Sequence, residues 1–456
     1  MRVAGETQAA PAAAGKFVAM SWARCALVLA ACAVLAACGQ SSSSRAIPTF
    51  SNTPEPLAGG GIKGKNGIDH IIVVVQENRS FDNLFHGFPG ADTASRGLRH
   101  DGTSVPLVSV PLSESYDIEH GEQNFLRAYD NGRNDGFDIE DPTSPTHPYG
   151  FVQQSDVQPY WDLAKKYVIA DETFASQIDG SFSAHQYLIA GQSGSAVDNP
   201  NALPWGCDAP SGTGVPTLNP DRSEGAEIFP CFNYESMAAP LDAAKATWRY
   251  YAPPVSDVGG QVWSGFDAIS AVREGLDWNR NVVTPETTFL SDVAGGQLAN
   301  VSWVIPDFVN SDHAGNNSNS GPQWVTSVVN AVGNSGFWKD SVVIVLWDDW
   351  GGWYDHVPPQ YVDPHGLGFR VPLMVISPYA KTGYVSHVHY EFGSVLKLIE
   401  TTFGLKPLAA SDARSNPLDD CFAFGQPSRP FAAIRTKRSP QSFTQEIPSG
   451  KPPDTE

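Results

Sequence analysis

The sequence predicts an α/β protein, built as a three-layer α/β/α sandwich around a mostly parallel central sheet. Two unbroken apolar runs, residues 71–75 and 342–347, are rich in β-branched side chains, as buried parallel strands are. Helical patterns lie between runs of this kind, and strand–helix alternation favours a sheet covered on both faces. The composition supports a large core, since 41% of the 456 residues are hydrophobic.

Six stretches are predicted as strands: His70–Val75, Val168–Ala170 extending toward Phe174, Thr247–Tyr251, Val301–Ile305, Val342–Trp347 and Val371–Ile376. Gly-Pro at 321–322 is a helix-start signal, and residues 322–332 then place their apolar side chains on one face. Residues 392–403 repeat apolar side chains at helical spacing until Gly404, which predicts a second helix.

The N-terminus predicts export. Basic residues precede an apolar stretch from 25 to 37, which is too short to span a bilayer and is typical of a signal peptide. It ends in LAAC at Cys38, which resembles a bacterial lipoprotein box. We therefore expect a lipoprotein-type signal peptide over 1–38 and a lipid anchor on Cys38, facing the periplasm or cell surface. An ordinary cleaved signal peptide is the alternative, and both Met1 and Met20 remain candidate start sites.

Composition divides the rest of the chain. Residues 39–64 form a Ser/Gly/Pro-rich linker, 65–425 form the main domain with an insertion at about 198–237, and 426–456 form a polar, Pro-rich tail. In an oxidising compartment Cys207 could pair with Cys231, which would leave Cys421 without a disulfide partner.

The net charge is −20. This charge disfavours a nucleic-acid partner, which normally needs a basic face. It also repels a phosphate-bearing ligand unless a cation or local hydrogen-bond donors offset the field.

Oxygen ligands follow both apolar runs. Glu77 and Asn78 come just after the first run, and Asp348 and Asp349 come just after the second. Ligands of an open α/β sheet bind beyond the carboxyl ends of its strands, so we expect these side chains to meet at one edge. Grouped oxygen donors suit a divalent cation, whose identity the sequence does not specify.

Three longer blocks read HIIVVVQENRSFD at 70–82, DDWGGWYDHVPP at 348–359 and GFRVPLMVISP at 368–378. They resemble the bacterial phospholipase C and acid phosphatase phosphoesterase family, within the alkaline-phosphatase-like superfamily. Shorter intermediate blocks surround His120 and His313, and the resemblance covers roughly residues 67–405. It implies an alkaline-phosphatase-like α/β/α fold.

The resemblance also implies a nucleophilic hydroxyl that is itself a metal ligand. The matching block is GSFSAHQY at 180–187, in which Ser181 takes the nucleophile position. Many relatives carry Pro-Asn where this chain has Ser183-Ala184, so Ser183 remains an alternative. Coordination to a cation lowers the pKa of a serine hydroxyl and makes the alkoxide accessible.

The remaining roles come from the same resemblance. It implies a metal shell made of Glu77, Asn78, Ser181, Asp348 and Asp349. It also implies catalytic roles for three histidines, which would contact phosphate oxygens or protonate the leaving alcohol: His120, His313 and His356.

The implied activity is metal-dependent hydrolysis of phosphate esters through a phosphoserine. The substrate would be a phospholipid, as for a phospholipase C, or a small phosphomonoester, as for an acid phosphatase. Trp347, Trp350, Trp353 and Tyr354 could form an apolar wall for a lipid or a cage for a quaternary amine, or some of them could simply pack against the sheet. A non-catalytic exported metal- or ligand-binding lipoprotein on the same fold is the alternative, although binding alone needs no hydroxyl at Ser181.

Overall fold

An eight-stranded sheet is the centre of the computed structural model, which describes Leu57 and residues 61–140, 142–178 and 180–447. The predicted signal peptide with Cys38, most of the linker and the last nine residues of the tail lie outside the described residues. Among the helices of the described ranges, none has the length and hydropathy that a bilayer crossing needs.

The large sheet is mostly parallel. The strands are β1 (His70–Gln76), β2 (Arg96–Leu98), β3 (Ser104–Pro106), β4 (Val108–Val110), β5 (Gly150–Val152), β6 (Val168–Ala170), β7 (Thr173–Phe174), β8 (Trp248–Tyr251), β9 (Val282–Val283), β10 (Val301–Val304), β11 (Ser341–Trp347), β12 (Leu373–Ile376), β13 (Tyr384–Ser386) and β14 (Tyr390–Glu391). The order in the large sheet is β13-β6-β12-β11-β1-β10-β8-β9. Within it, β12 runs antiparallel to both neighbours, and the other pairs are parallel.

Helices pack against this sheet and confirm the α/β class. They are α1 (Phe81–Phe85), α2 (Glu122–Tyr129), α3 (Phe137–Glu140), α4 (Gln158–Lys166), α5 (Ser181–Ala190), α6 (Ala238–Ala244), α7 (Val258–Trp263), α8 (Ser270–Arg273), α9 (Leu276–Asn281), α10 (Thr288–Ala294), α11 (Gly321–Gly333), α12 (Phe392–Phe403), α13 (Ala410–Arg414) and α14 (Pro440–Thr444). The two helices predicted from apolar spacing are α11 and α12. Every residue of β11 is buried, as its unbroken apolar run predicts.

One strand prediction is wrong in its extent. The strand that begins at Val168 does not continue toward Phe174, because the chain leaves the sheet after Ala170. The carboxylate of Asp171 instead accepts hydrogen bonds from the Asp92 amide and from His387. Residues 173–174 then pair with β14 in a separate two-stranded sheet.

The predicted insertion and tail both contact the main body. Within the insertion a disulfide joins Cys207 to Cys231. The insertion contacts the main body through the amide of Phe232, which donates to the carbonyl of Ala268 at 2.7 Å. The described part of the tail packs on α11, where Phe443 lies edge-on to Trp324 at 5.3 Å and Asn330 donates to the carbonyl of Ile434. The boundaries of these segments stay predictions.

Candidate active site

The ends of β1 and β11 form the base of the site. The two strands are parallel and neighbouring, with Gln76 opposite Trp347 at their carboxyl ends. The residues that follow, Glu77 and Asp348, therefore leave the sheet side by side. The edge expected from the sequence is the edge at which these acids meet.

A tight turn fixes the side chains beyond that edge. Asn78 has a left-handed backbone with φ 61°, and its amide donates to Asp348 Oδ1 at 2.8 Å. A Cβ on Gly351 would lie 2.1 Å from the carbonyl oxygen of Asn78. Only glycine allows this approach, so Gly351 lets the two strand ends close on each other.

Ser181 opens helix α5 at the same place. Gly180, with φ 74°, turns the chain into the helix. The Ser181 hydroxyl lies 3.5 Å from Asp349 Oδ2, whereas the Ser183 hydroxyl donates to the Gly180 carbonyl at 3.2 Å. The structure therefore brings Ser181 to the carboxylates, at a helix N-terminus that favours negative charge.

His185 joins the site, although it is not among the sequence-based candidates. Its Nε2 lies 3.3 Å from Glu77 Oε1 and 4.0 Å from Asp348 Oδ2. The signal for it is helical spacing, because residues i and i+4 share one face of a helix. Once Ser181 faces the acids from α5, His185 must face the same direction.

His120 also lies in the site. Its Nδ1 donates to the carbonyl of Ile118 at 2.7 Å, so Nε2 is the acceptor for the Asn78 side-chain amide at 2.8 Å. The same Nε2 is 3.8 Å from Asp349 Oδ1.

His313 stands next to His120, with ring centroids 6.4 Å apart. Its Nδ1 donates to the carbonyl of Ala314 at 2.7 Å and lies 3.5 Å from Asp117 Oδ2. Its Nε2 is buried and has no hydrogen-bond partner within the described part of the chain. This nitrogen is thus available to a bound ligand.

His356 is placed in a second cluster. Its Nδ1 is 2.6 Å from Asp82 Oδ2, and its Nε2 is 3.2 Å from Asp92 Oδ1. Arg370 contacts the same ring and pairs with Asp355 at 2.8 Å. These contacts connect loop segments to one another. Among the described residues, none of them joins His356 to Ser181. The catalytic role expected for His356 has no support in this arrangement.

Burial dominates the electrostatics of the site. Glu77, Asp348 and Asp349 are fully buried. Burial, followed by the negative charge of Glu77, raises the pKa of Asp348 to about 7. Burial and the charge of Asp348 likewise raise the pKa of Asp349 to about 7. Burial also raises the pKa of Glu77 well above its usual value and lowers that of His185.

The donor set fits a divalent cation. Glu77 Oε1, Asn78 Oδ1 and Asp348 Oδ2 are buried, and none has a hydrogen-bond partner among the described residues. Glu77, His185 and Asp348 each offer a ligand atom, all within 4.8 Å of one another. Unpaired buried oxygens are costly unless something binds them, and carboxylate and amide oxygens are ligands for hard cations.

The aromatic residues of the late motif are part of the core. Trp350 and Trp353 are fully buried, and Trp350 packs on Phe369 with ring centroids 4.7 Å apart. Of the roles left open by the sequence, this arrangement favours packing over a wall exposed to a lipid.

Several relatives of this chain are phospholipases C. Phospholipase C B of Mycobacterium tuberculosis strain H37Rv is 26% identical over 438 residues, covering 80% of this chain and 79% of that protein. The hemolytic phospholipase C of Pseudomonas aeruginosa is 25% identical over 390 residues, covering 74% of this chain and 53% of that protein. Non-specific phospholipase C4 of Arabidopsis thaliana is 23% identical, covering 79% and 74%.

Likeness to solved structures is low. A protein of the alkaline phosphatase superfamily from Vibrio parahaemolyticus aligns with a TM-score of 0.38 and 10% identity, covering 80% of this chain and 73% of that one. The sequence model of the Phosphoesterase family matches residues 68–406, a span that holds both strand ends, the three site histidines and Ser181. That match extends over most of the chain, and this protein is a member of the Phosphoesterase family, a phosphoric ester hydrolase.

Proposed function

We propose that this protein is a metal-dependent phosphoesterase of the phospholipase C type that uses Ser181 as its nucleophile. The observation that carries the proposal is the position of the Ser181 hydroxyl, 3.5 Å from Asp349 at the N-terminus of a buried helix. Family membership supports phosphate esters as the substrate class, and the names of the relatives support phospholipids.

The chain's own residues supply most of the proposed chemistry. The Ser181 hydroxyl passes its proton to the Asp349 carboxylate, attacks phosphorus in line and displaces diacylglycerol. The headgroup phosphate stays esterified to Ser181, which for a choline phospholipid is a serine–phosphocholine diester. Water then hydrolyses this intermediate. Amide groups at the start of α5 meet negative charge on the phosphate oxygens. As an imidazolium, with a proton on both ring nitrogens, His313 can donate from its buried Nε2 to a phosphate oxygen or protonate the leaving alcohol.

The other site residues hold this arrangement and bind the cation. The side-chain amide of Asn78 donates hydrogen bonds to His120 Nε2 at 2.8 Å and to Asp349 Oδ1 at 3.1 Å. Glu77, Asn78, Asp348 and Asp349 are the proposed oxygen ligands, beside Ser181. When bound, a divalent cation supplies Lewis acidity that favours the serine alkoxide and offsets charge on the phosphate.

Hydrolysis assays on purified protein test the proposal. Wild type should release phosphocholine from a choline phospholipid, and chelation should abolish this activity. Ser181→Ala should lower kcat by at least about 10³-fold, because the attacking group is lost. The control is Ser183→Ala, which removes a hydroxyl from the same helix and should retain most of the activity. Full turnover by Ser181→Ala would refute the proposed nucleophile.

The same preparations separate the two substrate types. A phospholipase C cleaves a diester, so inorganic phosphate should not be released directly from the phospholipid. Rapid release of phosphate from small monoesters, with none of the diester cleaved, would establish the acid phosphatase alternative. Metal binding without turnover of either substrate would establish the non-catalytic alternative.

We also propose that the protein is an exported lipoprotein, anchored through Cys38 to a membrane and facing the periplasm or cell surface. The support is the sequence pattern before Cys38. Metabolic labelling with a fatty acid should mark the wild-type chain and should fail to mark Cys38→Ala. Equal labelling of both would contradict the anchor.

A further inference from the structure

We propose that His185 is a nitrogen ligand of the metal centre, so that Glu77, His185 and Asp348 form a mixed nitrogen–oxygen site that favours zinc-like ions over magnesium or calcium. The inference rests on the metal dependence proposed above and adds a residue and a preference to it. The family resemblance placed only oxygen ligands around the cation.

The first support is the direction of the side chain. His185 lies one turn after Ser181 on α5 and is 2% exposed. Its Nε2 faces two carboxylates, at 3.3 Å from Glu77 Oε1 and 4.0 Å from Asp348 Oδ2. These are the oxygens that accept no hydrogen bond from the described residues.

The second support is the spacing of the three ligand atoms. A good N–H···O hydrogen bond is about 2.7–3.2 Å long, and the His185 nitrogen is further than this from both oxygens of Glu77, at 3.3 and 3.4 Å. Two ligands bound to zinc at about 2.0–2.1 Å with tetrahedral angles lie roughly 3.3 Å apart. The 3.3 Å between His185 Nε2 and Glu77 Oε1 therefore fits two ligands of one ion, and the 4.0 Å to Asp348 Oδ2 would have to shorten by several tenths of an ångström on binding.

The third support is the chemistry of the donors. Imidazole nitrogen suits zinc and other transition metals, whereas magnesium and calcium prefer oxygen. Two carboxylates and one neutral imidazole leave a net negative site, which an ion of charge +2 would neutralise. His185 is the member of this trio that distinguishes the two classes of ion.

Metal titrations of the full-length chain test the assignment. Metal-free wild type, His185→Asn and His185→Gln are titrated with Zn²⁺ and with Mg²⁺ against a chromogenic chelator. Loss of a ligand should weaken Zn²⁺ binding by more than about 100-fold, beyond the roughly 10–100-fold typical of a partner outside the coordination shell. Mg²⁺ binding should change much less, so the ratio of the two affinities should fall. The control is His100→Ala, whose half-exposed ring pairs with Asp138.

Two further measurements distinguish the loss of a metal ligand from misfolding of the variant. The thermal unfolding midpoint of each metal-free variant should stay close to that of wild type, while its rise on adding Zn²⁺ should be lost in His185→Asn. Co²⁺ bound to wild type should give an absorption band that shifts in His185→Cys, because sulfur replaces nitrogen as the donor. His185→Cys should retain Zn²⁺ binding, because cysteine also binds zinc. If His185→Asn fails to fold, His185→Cys therefore supplies the test.

The outcomes separate this inference from the proposed function. If Glu77→Gln loses Zn²⁺ and activity while His185→Asn binds Zn²⁺ as wild type does, the metal-dependent mechanism stands and His185 is not a ligand. An unshifted Co²⁺ absorption band in His185→Cys would also show that His185 is not a ligand. If wild type binds no divalent ion and hydrolyses phospholipid in the presence of chelator, both the inference and the metal dependence fail.

Discussion

Three carboxylates, those of Glu77, Asp348 and Asp349, are buried side by side. Burial penalises each charge and neighbouring anions add repulsion, which together raise the pKa values of Asp348 and Asp349 to about 7. Apolar side chains in place of buried charged groups usually stabilise a protein, so stability does not explain these three carboxylates. Their position beside a serine hydroxyl is what a cation-binding catalytic site requires, since a bound cation offsets the repulsion.

A similar penalty operates at Glu286, away from this site. Burial, followed by the charge of Asp307, raises the pKa of Glu286 to about 8. In the unfolded chain the pKa is near 4.5, so folding is not penalised by this group below that pH. Stability is then lost as the pH rises from about 4.5 to about 8, because the folded state must release a proton it holds more tightly.

Glu286→Gln should therefore stabilise the protein at pH 8 by up to about 4 kcal/mol and leave it nearly unchanged near pH 4.5, given about 1.4 kcal/mol for each of the roughly 3.5 pKa units between the folded and unfolded values. Urea unfolding at both pH values measures this difference. Glu235→Gln, at an exposed position, should have little effect at either pH. Equal stability of Glu286→Gln and wild type at pH 8 would show that the buried acid carries no penalty.

Among the elements, α12 shows how a local signal sets a boundary. Gly404 ends the helix with φ 72°, and a Cβ added there would meet no atom within 4 Å. The cost of Gly404→Ala is then purely one of backbone conformation, and we expect a loss of about 1 kcal/mol in unfolding free energy. The control is Gly425→Ala, which also has open space around its Cβ but lacks a positive φ. Equal losses in the two variants would contradict the backbone argument.

Elements with strong local patterns could be predicted from the sequence, and elements set by tertiary pairing could not. The long apolar runs predicted the bounds of β1 and β11 to within one residue, because a strand that is buried on both faces is apolar at nearly every position. β9 and β13 have two and three residues, which are too few to show a hydrophobic periodicity. The break after Ala170 depends on β14, which is distant in sequence.

The site could be predicted in part for the same reason. Acids directly after buried parallel strands must reach one edge, so Glu77 and Asp348 were predictable from strand order. His185 could be predicted only by assuming that residues 181–190 form a helix whose Ser181 faces the acids, since His185 then lies on the same face. His356 matched a motif by position, yet its neighbours Asp82 and Asp92 engage the ring.

At the scale of the whole molecule, the net charge of −20 opposes the approach of anionic substrates. Salt screens this repulsion, since the Debye length falls from about 30 Å at 0.01 M to about 8 Å at 0.15 M. For a small anionic phosphate ester, kcat/KM should therefore rise several-fold over this range. A zwitterionic choline phospholipid should respond much less. A fall in kcat/KM with salt for the anionic ester would mean that a local positive field dominates.

The central claim is that Ser181 carries the phosphoryl group during turnover. Protein mixed with a choline phospholipid and quenched in acid within milliseconds should contain a peptide that carries phosphocholine, whereas a phosphomonoester should leave a peptide that carries phosphate. Fragmentation by mass spectrometry should locate either group on Ser181. The label should be absent from Ser181→Ala and should disappear when wild type exhausts its substrate. A phosphoryl group on Ser183 or on a histidine, or none under conditions of active turnover, would contradict the account.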